Sequence, residues 1–84
     1  MTFYVYLILT KHKNKLTSYV GYTNNLEKRL NNHNNSKGAK FTKGKKWKLI
    51  YSKKYATKKI AMKEEYLLKY DRKRRNKIKQ NYLI

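Results

Sequence analysis

Seven consecutive residues near the start of the chain, Phe3-Tyr4-Val5-Tyr6-Leu7-Ile8-Leu9, are apolar or aromatic without interruption. Side chains alternate between the two faces of a strand, so a run that is apolar at both parities suits a strand covered on both faces, as at the centre of a sheet. The chain must therefore supply covering elements on each side. With 84 residues it has material for one modest core, and residues 1–84 are expected to form a single domain. The run is too short to cross a bilayer, and it lacks the charged flank and small-residue cleavage site of a secretion signal.

The remaining pattern supplies the partners. Lys11 to Lys15 is polar and reads as a turn; Leu16 to Thr23 resumes the β pattern, which predicts a hairpin. Asn24 or Asn25 is a suitable cap for a following helix, with Glu27 favourably placed in its first turn and Leu26 and Leu30 as anchors. Ser36 to Lys46 holds two glycines and five lysines without periodicity and reads as a basic loop, with room for one helical turn. Trp47 to Tyr55 is a third strand. Thr57 caps a second helix, with Ile60, Ala61, Leu67 and Leu68 as its apolar stripe. From Asp71 onward the chain is very basic, and a last helix, frayed at its end, is expected to dock through Ile78, Tyr82 and Leu83. The order is β-β-α-β-α-α. The fold class is α/β of the α+β type, a small three-stranded sheet flanked by helices.

Twenty-three Lys and Arg oppose four Asp and Glu, a net charge of +19. Such a chain repels itself and attracts polyanions, so DNA is the expected partner, with RNA second. An AT-rich coding bias inflates Lys, Asn, Ile and Tyr but does not explain the scarcity of acids. Disorder is argued against by nine Tyr, one Trp and the apolar runs. No sustained basic helix carries a bulky apolar face, so a membrane partner is not expected. Cysteine is absent, which excludes disulfides and thiolate zinc sites and fits a cytoplasmic location.

Two tyrosine-bearing segments, Tyr4-Val5-Tyr6 and Tyr19-Val20-Gly21, are followed by Tyr22-Thr23-Asn24-Asn25-Leu26-Glu27-Lys28-Arg29-Leu30 and His33-Asn34. Further on come Lys37-Gly38-Ala39-Lys40-Phe41-Thr42, Trp47-Lys48-Leu49-Ile50-Tyr51, and Ala61-Met62-Lys63-Glu64-Glu65 with Leu68-Lys69. In this order and spacing the chain resembles the GIY-YIG nuclease superfamily, most of all its small standalone members, over roughly residues 3 to 80. One departure is visible, Tyr4 where the family name has glycine. The resemblance implies a metal-dependent DNA endonuclease that hydrolyses phosphodiesters with one divalent ion, Mg²⁺ or Mn²⁺, and DNA repair is among the roles such a domain serves. It implies catalytic positions at Tyr6, Tyr19, Arg29, His33 and Glu65, with Glu65 as metal ligand.

The residues also bear a physical reading of their own. Tyr6 and Tyr19 fall on neighbouring strands, where their hydroxyls can converge; packing between sheet and helix is the ordinary alternative. Nearby cations favour an ionised phenol and would prepare it as a general base. Arg29 and His33 are four residues apart and share a helix face, so both can address one phosphate. The alternative is a solvated face. Gly21 permits close approach of a backbone or phosphate, or marks a strand bend. Lys37 and Lys40 flank a small-residue turn and suit nucleic-acid phosphates, as does an ordinary solvated loop. Only Glu27, Glu64, Glu65 and Asp71 are acidic, too few for the carboxylate cluster of a two-metal site, and one Mg²⁺ held by one carboxylate is the economical arrangement. On a helical wheel Glu64 sits nearer the middle of the Ile60, Leu67, Leu68 stripe and Glu65 at its edge; the family spacing favours Glu65. A second reading, from a different class, is a non-catalytic basic nucleic-acid-binding module.

Overall fold

The computed structural model describes residues 2–35, 37 and 40–83. The elements are β1 (Phe3–His12), β2 (Lys15–Thr23), α1 (Leu26–Asn34), one 3-10 turn (Lys40–Thr42), β3 (Lys48–Tyr55), α2 (Lys58–Tyr70) and α3 (Arg72–Leu83). They follow the expected order β-β-α-β-α-α in the expected class. β1 and β2 run further than their apolar patterns, leaving only Lys13 and Asn14 to turn the hairpin. Both adopt positive φ, 51° and 63°, the conformation that lets a two-residue turn match the twist of the strands it joins. The polar residues Lys11, His12 and Lys15 are thus strand rather than turn.

The sheet is antiparallel with β1 in the middle, order β2-β1-β3. β1 is covered twice, which accounts for its unbroken apolar run. Val5 and Leu7 point to one face, where they join Val20 and the buried Ala61 and Leu68 of α2, with Ile78 of α3 packed alongside. Tyr6 and Ile8 point to the other, where Trp47, Tyr19 and the α1 residues Leu26 and Leu30 close the layer. Between Leu7 and Ile8 the β3 register slips by a residue, Tyr51 facing one and Leu49 the other.

The helices begin where the sequence places caps. The side chain of Asn25 accepts from the Lys28 amide, that of Thr57 from Ile60, and that of Asp71 from Arg74. The apolar stripe of α2 differs from expectation. Only Ala61 and Leu68 are buried, whereas Ile60 and Leu67 are 46% and 48% exposed. The row that meets the sheet runs Ala61, Glu64, Glu65, Leu68, and this turns both glutamates inward. Of the expected docking residues of α3, Ile78 packs on the core, while Tyr82 and Leu83 stay largely exposed beside an apolar hollow with Leu9 and Trp47.

The loop before β3 is tied down by polar contacts. Asn34 clasps Trp47 in both directions, its side-chain nitrogen donating to the Trp47 carbonyl and its oxygen accepting from the Trp47 amide. The Trp47 indole donates to the carbonyl of Thr42 (3.0 Å), inside the one helical turn the loop contains. The small-residue turn expected at Gly38-Ala39 lies outside the described residues.

A candidate active-site cleft at the sheet edge

β2 is an edge strand, and its second half borders a cleft of about 500 Å³ into which four elements project. Tyr6 comes from β1, Tyr19 and Gly21 from β2, Arg29 from α1, and Lys58 and Glu65 from α2. Antiparallel pairing sets Tyr6 opposite Gly21 and Ile8 opposite Tyr19, so the two tyrosines share a face one pair apart. Arg29 reaches the cleft from the rim of α1 and is exposed. Glu65, half-buried, reaches it from the inner row of α2.

Gly21 is where Tyr6 lies. A Cβ built at residue 21 would come within 2.5 Å of Tyr6 Cζ and closer still to the hydroxyl, nearer than real Cβ atoms approach. The close approach that glycine permits is therefore made by the tyrosine ring itself.

His33 takes a different place from Arg29. It is 1% exposed, because α1 turns Leu26, Leu30 and His33 toward the sheet and leaves Arg29 at the edge. It sits behind Tyr6, with Nε2 and the tyrosine hydroxyl 2.8 Å apart in a hydrogen bond, and Nδ1 is 2.8 Å from the Thr42 hydroxyl. The rings of Tyr19 and His33 meet edge to face at 5.2 Å. The histidine thus reaches the cleft through a tyrosine and does not line it. Lys37 and Lys40 are exposed on the loop and stand apart from the cleft wall.

Burial governs the electrostatics. Tyr6 is 3% exposed, and desolvation pushes its phenol above the ordinary tyrosine value. Arg29 pulls the other way, and Tyr19 and Glu65 add smaller upward contributions. Loss of water outweighs the cation, so the expected acidification does not hold for Tyr6, which remains a neutral phenol at physiological pH. His33 is pushed below the ordinary histidine value, first by burial and then by Arg29, and is a neutral imidazole at pH 7.

The acids are dispersed. Glu27 lies in the first turn of α1, Asp71 caps α3, and Glu64 is absent from the cleft lining, near enough to Tyr55 to add, after burial, to the raising of its phenol. That leaves Glu65 in the cleft. Among the described residues no three His, Cys, Asp or Glu gather at one point. A single carboxylate beside open space fits a hard divalent ion that keeps most of its waters, and does not fit a cage of protein ligands.

Lys58, Thr42 and Trp47 complete the surroundings. Thr42 and Trp47 stand in the motif blocks of the sequence but without a role read from them. Lys58 stands seven residues before Glu65, two turns along the same side of the helix, a signal the sequence carries.

The fold is thus a small α+β domain that brings tyrosines, an arginine and one carboxylate together on an edge cleft. Comparison with known proteins identifies the family. The model of the GIY-YIG catalytic domain matches residues 2–79, and the chain belongs to this family of nuclease domains, which act on nucleic acids and generally use divalent metal ions. It is 45% identical over 67 residues to a UPF0213 protein of Oceanobacillus iheyensis, covering 79% of this chain and 74% of that protein. It is 47% identical over 66 residues to one of Bacillus licheniformis, covering 77% and 65%. The solution NMR structure of a UPF0213 protein from Bacillus halodurans superposes with a TM-score of 0.52 at 32% identity, covering 95% of this chain and 84% of that one. No helix among the described residues is long and apolar enough to cross a membrane.

Proposed function

We propose that residues 1–84 act as one DNA endonuclease unit that hydrolyses phosphodiester bonds in the β2-edge cleft with a single divalent ion. The observation that carries this reading is the convergence of Tyr6, Tyr19, Arg29 and Glu65, from four separate elements, on one opening. The modest size of the cleft favours weak or structure-based selectivity over the reading of a long site.

The neutral state of Tyr6 shapes the chemistry. A phenol that stays protonated accepts the proton of an attacking water only if it passes its own proton on. His33 is placed for this: with Nδ1–H donated to Thr42, its Nε2 accepts from the Tyr6 hydroxyl. Water attacks phosphorus, its proton goes to Tyr6 Oη, the Tyr6 proton goes to His33 Nε2, and the bond from phosphorus to the 3′ oxygen breaks. Arg29 presents a permanently charged fork to the phosphate oxygens as their charge grows. Tyr19, steadied against His33 and Phe41, orients the water, and Lys58 holds a flanking phosphate. Glu65 is the ligand for Mg²⁺ or Mn²⁺, which when bound would neutralise the phosphate and stabilise the leaving oxygen.

The test is nicking of supercoiled plasmid and branched DNA with and without Mg²⁺ or Mn²⁺, comparing the wild type with Tyr6→Phe. Metal-dependent cutting that falls by two or more orders of magnitude in Tyr6→Phe is expected. Tight binding with no cutting in either metal would instead leave a non-catalytic nucleic-acid-binding module.

A further inference from the structure

The cleft occupies only one half of the β2 edge. Beside the other half, at Lys15 to Ser18, lies a second groove of about 520 Å³. Its cations arrive from both faces of the sheet: Lys15 from β2, Lys45 from the loop over the α1 face, and Arg72, Arg75 and Lys79 from α3 on the opposite face. No acid is among the described residues that line it. The three α3 cations stand at spacings of three and four, one row of a helix.

Two features set this row apart from an ordinary solvated face. α3 opens on four consecutive cations, Arg72 to Arg75, with the capping Asp71 as the acid at that end, where the helix dipole disfavours positive charge. The buried Nε of Arg75 has no acceptor among the described residues, and the same side chain lines the groove, where its charge meets no acid. The groove also adjoins the cleft along β2. Phe41 lines the groove and stacks at 6.1 Å on Tyr19, which lines the cleft.

From this we infer that the groove is a backbone-binding track for double-stranded DNA, holding phosphates to one side of the bond placed in the cleft. It rests on the nucleic-acid reading above and adds a one-sided footprint to it. Nine strand residues extend roughly 30 Å, about the rise of nine nucleotides of one strand. Direct contacts to the phosphates release counterions, whereas diffuse attraction to a charged surface is spread over all sides of the molecule.

The experiment measures binding of a labelled 30-base-pair duplex in EDTA, over a range of salt, for the wild type and for two groove variants, Arg72→Gln/Lys79→Gln and Lys15→Gln/Lys45→Gln. The opposite-edge pair Lys53→Gln/Lys54→Gln, exposed on β3, removes the same charge elsewhere. Each groove pair is expected to weaken binding about tenfold and to flatten the logarithmic salt slope by about two, near 0.9 per lost phosphate contact, with a much smaller change for the β3 pair. Equal losses for all three pairs, or none for the groove pairs, would overturn the track, and tighter binding of single-stranded RNA than of the duplex would overturn the assigned partner. Because no cutting is required, a chain that cuts nothing but shows the groove effect keeps this inference and loses the nuclease. A chain that cuts through Glu65 with no groove effect does the reverse.

Discussion

At the scale of single residues, Tyr6 ties the account together, since Gly21 makes room for it, His33 bonds it and Arg29 acts on its charge. Gly21→Ala drives a methyl group into a buried ring that has little space to move, so destabilisation of about 1–3 kcal/mol is expected from urea denaturation, together with loss of cutting. His33 gives a pH signature. Its folded pKa lies below the ordinary 6.5, so between the two values the unfolded chain binds more protons. The stability linked to this group is therefore complete above about pH 6.5 and is lost as pH falls. Urea midpoints at pH 7.5 and 5.5 should show that step in the wild type, and the step should shrink in His33→Gln. The same shift places the acidic limb of the cutting rate below pH 6.5. These residues were legible in the sequence by type and spacing, but their relations were not. That His33 lies behind a tyrosine depends on which way α1 faces, and the high pKa of Tyr6 depends on burial, which outweighs a chain full of cations.

At the scale of elements, the predicted strands and helices match because each has a local cause: a doubly covered central run, asparagine and threonine caps, and a basic but helical tail. The face of α2 was harder to read. Counting apolar residues gives Ile60 and Leu67 the same weight as Ala61 and Leu68, but the helix lies over the sheet along the row through Ala61 and Leu68, and Glu64 and Glu65 fall on either side of that row. Truncation measures this directly. Leu68→Ala should cost about 2–5 kcal/mol, whereas Leu67→Ala, half exposed, should cost under about 1 kcal/mol; thermal or urea unfolding of the pair distinguishes them. The hairpin is longer than its apolar pattern, since polar Lys11, His12 and Lys15 belong to strands extended by a two-residue turn.

At the scale of the whole molecule, a charge of +19 acts on stability as well as on binding. Self-repulsion weakens as salt screens it, so the melting temperature should rise by several degrees between about 20 mM and about 200 mM salt, while affinity for DNA falls over the same range. Charge alone was enough to point to a polyanion. The cleft was not visible at that level, because β1, β2 and α1 are consecutive but α2 follows only after the loop and β3, and the four meet only when α1 and α2 pack on opposite faces beside one edge. The shortage of acids was the part of the site most plainly written in the chain, and the fold places one of the two adjacent glutamates in the cleft and the other toward Tyr55. The most direct measurement is therefore the Mg²⁺-dependent cutting rate of Glu65→Gln against Glu64→Gln on the same plasmid, with both variants confirmed folded. The account predicts loss of at least about a hundredfold for Glu65→Gln and little change for Glu64→Gln; cutting by Glu65→Gln at the wild-type rate would contradict it.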